Sequence, residues 1–287
     1  MLMARTLADL HTHSSISDGI DSPTDLVRLA DELKLGGIAL TDHDTIMGLR
    51  EFIEATATPD LQRVPGLELS ADYENQEVHI LGYFVPLESK TLDAKLGELR
   101  NRRRNKFSKM IDKLHNLGID LEHDEIKAAL QGVESPGRPH LAALLVKKEI
   151  VGSIDEAFDF YLGEGKPAYV EKKRMHVFEA IGLIRSVGAV PVVAHPFTIE
   201  VPNLGEFIGT MEKAGILGVE VDYDYHPART DVNIEELRKV TQELGLIETG
   251  GSDYHGDSWM GALGSVTVPV RTIEILRDAA DDMNTQA

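Results

Sequence analysis

The chain has 287 residues, of which 42% are apolar and 27% are charged, so it is long enough for one large domain or for a domain with an insertion. It contains no cysteine, which excludes disulfides and thiolate metal sites, so any metal ion has to be bound by histidine and carboxylate. The formal net charge of -19 argues against a broad basic face that binds nucleic acid, but it does not exclude a small phosphorylated substrate.

The sequence also carries no sign of a membrane span or a secretion signal. No stretch approaches the ~20 apolar residues that a membrane span requires. The first residues, MLMARTLADL, lack the long apolar core of a signal peptide. We therefore expect a cytoplasmic protein.

The first ninety or so residues alternate between strand and helix patterns. LADLHTH reads as a strand, and GGIALTDHD reads as a second one. Residues 22–37 between them predict a helix with Ser22 as its N-cap and with Leu26, Leu29 and Leu33 on one face. VPGLELSADYENQEVHILGYF then predicts two strands joined by a polar turn.

The pattern changes between about Leu92 and Val170, where long charged helical segments are interrupted by SPGRPH. After this region AVPVVAHP, LGVEVDYDYH and LIETGGSDYHG predict three more strands with helices between them, and DDMNTQA reads as a short polar tail. We therefore predict an α/β domain made of residues 5–91 and 171–280, with a helical insertion of residues 92–170.

Polar side chains collect at or near the ends of the predicted strands. Because residues two apart on a strand share a face, His11 and His13 can point at one ion. In a barrel of parallel strands the carboxyl ends meet at one mouth, where catalytic residues gather. Nitrogen and oxygen donors of this kind suit Zn, Mn or Fe. The other candidates are His43, Glu68, His79, His195, Asp253 and His255.

These segments resemble a known family. In order along the chain, DLHTHSSISDG, ALTDHD, GLELS, VHILGY, VAHP and GSDYH resemble the motifs of the PHP (polymerase and histidinol phosphatase) superfamily. NRRRNKFSKMIDKLHNLGI, GRPHLA and YLGEGKPAYV also resemble the insertion of one branch, the small metal-dependent phosphoesterases. The resemblance implies a distorted (β/α)7 barrel whose site holds two or three divalent metals, with Mn, Fe and Zn all left open.

The resemblance also implies which residues bind each metal. His11, His13, Glu68 and Asp253 match the first set of ligands, and Glu68, His79 and His195 match the second, with Glu68 as the bridge. Asp18, His43 and His255 match the third set. Asp18 stands where some PHP proteins have histidine, which can change the preferred metal. Asp42 and Asp44 flank His43, and we expect them to orient it.

Phosphate contacts are expected from the insertion. Arg103 and Arg138 match the branch as phosphate ligands, and Lys166 is a weaker candidate of the same kind. The other arginines of the first insertion helix are expected to be solvated: Arg100, Arg102 and Arg104. His140 and His226 are candidates for a supporting role behind the direct ligands.

The chemistry expected of this cluster is metal-assisted hydrolysis by a metal-bound hydroxide, with the general acid left open. The branch implies phosphate removal from nucleoside 3',5'-bisphosphates such as pAp, and possible trimming of short 5'-phosphorylated oligonucleotides without a stable nucleic-acid complex. The alternatives are a histidinol-phosphate phosphatase and a non-catalytic metal-binding PHP module. The sequence leaves the oligomeric state open.

Overall fold

The structure, a computed structural model, describes residues 5–131, 133, 136–171, 174–225, 232–256 and 261–286. Within them one sheet of nine strands is formed. The strands are β1 (Leu7–Asp9), β2 (Gly37–Leu40), β3 (Gln62–Tyr73), β4 (Gln76–Tyr83), β5 (Met175–His176), β6 (Val190–Val193), β7 (Gly218–Tyr223), β8 (Ile247–Gly251) and β9 (Val268–Pro269).

The sheet has the order β8-β7-β6-β4-β3-β2-β1-β9, and β5 pairs with β3 beside this path. Strands β1, β2 and β3 are parallel, as are β6, β7 and β8, whereas β4 runs antiparallel to both of its neighbours. The two ends approach each other where Leu10 N donates to Gly250 O and Thr12 bridges to Tyr254. The result is the predicted α/β fold with a nearly closed, distorted barrel.

Glycine makes this closure possible. A Cβ atom on Gly251, in β8, would lie 2.4 Å from the backbone nitrogen of His11. Only a residue without a side chain can bring the two strand ends so close. The first histidine of the predicted cluster is therefore held directly against the opposite edge of the barrel.

The helices lie around the barrel and above its rim. Helices α1, α2 and α7–α9 contribute to the apolar layer outside the strands, and α10 packs on the other face of the sheet. No helix among the described residues is long and apolar enough to cross a membrane. The helices are α1 (Pro23–Glu32), α2 (Leu49–Glu54), α3 (Lys90–Asn116), α4 (His123–Ala129), α5 (Arg138–Lys147), α6 (Ile154–Ala157), α7 (Val177–Ser186), α8 (Leu204–Ala214), α9 (Ile234–Glu243) and α10 (Arg271–Gln286).

The helical region between β4 and β5 has an apolar core of its own. Phe107, Met110 and Leu114 of α3 pack there with α5 and with a π-helical turn, Phe158–Leu162. The first half of α3 instead packs on the barrel core through Leu92, Leu96 and Leu99. The boundary predicted at residue 92 thus falls inside one continuous helix.

Two local predictions differ from the structure. Ser22 caps α1 as predicted, accepting a hydrogen bond from the backbone N–H of Asp25, but α1 ends at Glu32 and leaves Leu33 54% exposed. The predicted polar tail forms the end of α10 instead, because Leu276 and Ala280 bury one face of that helix against the sheet.

Candidate metal centre

All nine side chains that the sequence predicts as metal ligands lie at one rim of the barrel. Seven follow the carboxyl ends of strands: His11, His13, Asp18, His43, His195, Asp253 and His255. Glu68 lies instead in the middle of β3, and His79 in the first half of β4. Both reach the rim because β3 extends past β2, where His43 bridges to Glu68, and because β4 enters the barrel from this end.

The first group of donors, which we call the His11 group, consists of His11, His13, Glu68 and Asp253. Five separations between His11 Nε2, His13 Nε2, Glu68 Oε2 and Asp253 Oδ1 lie between 3.1 and 3.5 Å. Metal–ligand bonds of about 2.0–2.2 Å in a tetrahedral site separate neighbouring ligands by roughly 3.3–3.6 Å. The donor spacing therefore fits one cation.

The second group, which we call the His79 group, consists of Glu68 and the three imidazoles around its carboxylate, those of His43, His79 and His195. Glu68 Oε1 lies 2.8 Å from His79 Nδ1 and 3.2 Å from His195 Nε2. Glu68 Oε2 lies 3.1 Å from His43 Nδ1. Glu68 thus faces two sets of donors with its two oxygens, and His43, predicted only for the third metal, also belongs to this group.

The third group, the Asp18 group, consists of Asp18, His13, His43 and His255. Asp18 Oδ1 lies 3.4 Å from His255 Nε2, and Asp18 Oδ2 lies 3.7 Å from His43 Nε2. The wider spacing of these atoms leaves more room around an ion than in the His11 group. Asp18 supplies a hard oxygen donor to a group that is otherwise made of imidazoles.

Several polar atoms of the cluster are buried without a hydrogen bond of acceptable geometry in the described part of the chain. They are His13 Nδ1, Asp18 Oδ1, His43 Nδ1 and His79 Nδ1. Buried polar atoms are costly unless they are paired or bind a metal. Because these atoms are the nitrogen and oxygen donors that divalent cations accept, the residues fit bound divalent metal.

Charges in the cluster are strongly coupled. Burial disfavours the carboxylate of Glu68, but the surrounding imidazoles, His43 first among them, hold its pKa well below the usual range. Burial likewise disfavours a charge on His79, yet the adjacent Glu68 raises the pKa of His79 to about 9. In the same way Asp18 raises the pKa of His255 to about 10 against the effect of burial. The carboxylates are therefore ionised and attract positive charge.

Two buried carboxylates that the sequence analysis did not select support this cluster: Asp9 and Glu220. Glu220 Oε1 lies 2.9 Å from His11 Nδ1. Asp9 accepts hydrogen bonds from the N–H and hydroxyl groups of Ser252, next to Asp253, and burial raises its pKa to about 6. The sequence signal that could have identified Asp9 and Glu220 is a carboxylate inside an apolar strand pattern, LADL for the first and GVEVDY for the second.

The Asp42 and Asp44 carboxylates accept hydrogen bonds from the Ser14–Ser17 loop and from helix α3, and their predicted role in orienting His43 stays a prediction. Asp42 accepts hydrogen bonds from the hydroxyl groups of Ser14 and Ser17, which shapes the loop before Asp18. Asp44 Oδ2 instead accepts a hydrogen bond from Arg103 Nε at 2.7 Å.

A cavity of about 390 Å³ lies between the metal groups and the insertion. His43, Glu68 and His79 of the metal groups line it. Three cationic side chains from the insertion also line it: Arg103, Lys106 and Arg138. This volume is in the range of small-molecule sites. Lys106 reaches the cavity because it lies one turn of α3 beyond Arg103.

Arg138 is the first residue of α5 and reaches into the cavity beside Glu77 and Phe158. Its guanidinium lies 5.4 Å from the ring centroid of Phe158, and one nitrogen lies 3.9 Å from Glu77 Oε2. Glu77 pairs more closely with Arg174, at 2.6 Å. Arg138 is therefore stacked on an aromatic ring and only loosely paired with this carboxylate.

The remaining candidates are Lys166, His140 and His226. Lys166 is exposed and is not among the residues that line the cavity. His140 Nδ1 accepts a hydrogen bond from the backbone N–H of Gly137 at 3.1 Å, and burial lowers its pKa. His226 lies outside the described residues.

Comparisons with known proteins agree on one family. A sequence model of the PHP domain matches residues 9–182. A 5'-3' exoribonuclease of Haemophilus influenzae is 31% identical over 249 residues, 86% of this chain and 89% of that protein. A 3',5'-nucleoside bisphosphate phosphatase of Chromobacterium violaceum is 30% identical over 252 residues, 86% of each chain. The crystal structure of a Bifidobacterium adolescentis protein, described as a metal-dependent phosphoesterase by prediction, superposes with a TM-score of 0.86 at 26% identity, covering 95% of this chain and 96% of that one.

Proposed function

The chain belongs to the PHP family of phosphoric ester hydrolases, and from that premise we propose that it removes phosphate from nucleoside 3',5'-bisphosphates and trims short 5'-phosphorylated oligonucleotides. The names of the two relatives support nucleotide substrates. Both relatives align with this chain over most of their length, so the barrel and the insertion are included in the likeness.

The observation that carries the proposal is that one cavity is lined both by members of the metal groups and by cations from the insertion, Arg103, Lys106 and Arg138. A substrate with two phosphate groups can place one at the metals, beside Arg103, and the other at Arg138. Arginine is suited to the second task because its planar fork binds phosphate through two hydrogen bonds.

We assign two or three divalent ions, Mn, Fe or Zn, to the His11, His79 and Asp18 groups. When bound, such ions generate a nucleophile from water and neutralise the phosphate oxygens. The protein contributes rigid donors: Glu68 stands between two groups, and its burial keeps the carboxylate in one orientation.

The two arginines have different tasks in this proposal. Arg103 is fixed by hydrogen bonds to Asp44 and to the hydroxyl group of Ser70, 2.7 and 2.8 Å long, so it holds a charge next to the metal groups. We assign it to the scissile phosphate. Arg138 is held mainly by stacking on Phe158, which leaves its guanidinium edge for the second phosphate.

A substrate panel tests the proposal. The purified protein with Mn²⁺ is assayed for phosphate release from adenosine 3',5'-bisphosphate, adenosine 5'-monophosphate and histidinol phosphate, and for release of mononucleotides from a short 5'-phosphorylated RNA. We expect the bisphosphate to have the highest kcat/KM, and we expect the RNA to lose nucleotides from its 5' end. Histidinol phosphate lacks a second phosphate, so a preference for it would support the alternative of a histidinol-phosphate phosphatase. No release from any substrate would support a non-catalytic module.

A further inference from the structure

Glu220, in β7, is a fully buried carboxylate placed beneath the metal groups. Its Oε1 lies 2.9 Å from Nδ1 of His11, and its Oε2 accepts a hydrogen bond from the backbone N–H of His195 at 2.8 Å. His11 belongs to the His11 group and His195 to the His79 group. One carboxylate thus contacts both groups without being a donor in either.

The contact with His11 determines which ring nitrogen faces the cluster. A carboxylate only accepts hydrogen bonds, so His11 donates its Nδ1–H to Glu220. Nε2 then carries the free lone pair, and it is this atom that lies 3.1 Å from His13 Nε2 and 3.3 Å from Asp253 Oδ1. Carboxylates that hold metal-binding histidines in this way also raise the basicity of the ring.

The contact with His195 holds an unusual backbone conformation. His195 has φ of 27° and ψ of 60°, on the left-handed side of the map that residues with a side chain rarely occupy. Its N–H is held by Glu220, and its Nδ1 lies 2.9 Å from the hydroxyl group of Thr198. Together these contacts aim His195 Nε2 at Glu68 Oε1, 3.2 Å away.

We propose that Glu220 is a positioning residue that serves the His11 and His79 groups at once, so that both groups lose metal when it is changed. Glu68 joins the two groups at the cavity wall, and Glu220 joins them from the barrel side. The inference rests on the proposed metal assignment. It predicts that metal affinity at two groups depends on a residue that touches neither ion.

Glu220→Gln is the informative substitution because an amide has the size of the carboxylate but only one acceptor oxygen. It cannot accept from both His11 and His195, and one of the two donors meets the amide NH2 instead. Asp222→Asn is the matched control. It removes the same charge from the same strand, but a β-bulge lies between the two positions and Asp222 pairs with Arg238 instead.

Metal binding is the readout, measured by equilibrium dialysis over a range of buffered free Mn²⁺ concentrations that covers the wild-type Kd values and at least 100 times those values. Loss of such a supporting partner weakens metal binding by about 10- to 100-fold. We expect Glu220→Gln to raise the Kd by about this factor at two of the wild-type sites and Asp222→Asn to bind Mn²⁺ as the wild type does. A raised Kd at one site only, or at none, would overturn the inference while leaving the proposed function standing. Wild-type protein that binds no Mn²⁺ would overturn the metal centre itself.

A measurement on the wild-type chain covers the case in which Glu220→Gln does not fold. Long-range ¹H–¹⁵N NMR of the histidine rings reports which nitrogen is protonated. We expect a proton on His11 Nδ1 in both the metal-free and the Zn²⁺-loaded protein, with the metal-dependent shift on Nε2, and slow exchange of the His195 amide. A metal-dependent shift on His11 Nδ1, or rapid exchange of that amide, would contradict the role of Glu220.

Discussion

Arg103 Nε, on the insertion helix α3, donates a 2.7 Å hydrogen bond to Asp44 Oδ2, on the loop that also carries His43. The same carboxylate accepts a hydrogen bond from the backbone N–H of Ser70 through its other oxygen, and Arg103 also donates to the Ser70 hydroxyl group. The guanidinium is therefore held in one orientation beside the metal groups. The insertion and the barrel share this contact at the edge of the cavity.

The substitution Arg103→Lys should reduce kcat/KM by about 10- to 100-fold, because an ammonium group cannot reproduce the two bonds and hydrogen bonds to charged groups contribute about 1.5–3 kcal/mol. The loss should be similar for a monophosphate and a bisphosphate, since Arg103 is assigned to the scissile group. Arg102→Lys is the control, because Arg102 is about half exposed on the same helix. A loss confined to the bisphosphate would move Arg103 to the other phosphate.

Glu68→Gln removes the negative charge shared by the His11 and His79 groups. We expect activity to fall by more than about 100-fold, together with metal content, because this residue provides a donor to both groups. Glu74→Gln, at the exposed tip of the same hairpin, should leave metal and turnover unchanged. Wild-type turnover and metal content in Glu68→Gln would show that the metal groups are misassigned.

Arg138→Ala should weaken binding of substrates with two phosphates by about 1.5–3 kcal/mol, the contribution of charge-assisted hydrogen bonds. The effect should appear mainly as a higher KM for the bisphosphate and should be smaller for a monophosphate. Lys166→Ala serves as the comparison and should change neither, because Lys166 is exposed outside the cavity. Equal losses on both substrates would place Arg138 at the scissile phosphate.

Action on RNA should require a free end. A chain with a net charge of -19 repels flanking phosphates, and its cavity has room for only a few charged groups next to the metals. With Mn²⁺, we expect a circular single-stranded RNA to remain intact while the same RNA, linearised and 5'-phosphorylated, is shortened. Gel analysis of both substrates gives the answer, and efficient cutting of the circle would indicate an endonuclease.

The donors of the cluster could be predicted because their signal is local and repeated. Short polar motifs follow apolar strand patterns at His11, His43, His195 and Asp253, and parallel strands bring such ends together. The position of His79 followed less directly from this rule. It comes from an antiparallel strand, whose first half, and not its end, reaches the rim.

The supporting residues could not be predicted because their roles depend on contacts across the barrel. Glu220 and His11 are separated by 209 residues, and nothing near either residue indicates the other. The same limit applies to Lys106 and Lys166, which differ in their packing against the cavity and not in chemical type. Leu33 fits the helical period but lies beyond the end of α1, and its side chain is exposed.

Helix α3 is a rigid connection between the barrel and the insertion. Its 27 residues form a rod about 40 Å long, of which one half packs on the barrel core and the other half on the core of the insertion. No loop interrupts the helix between these halves, so on this side the insertion has no hinge about which it can swing. The stiffness of α3 fixes the distance between the insertion and the barrel on this side. The cavity between them therefore has its shape before a substrate binds.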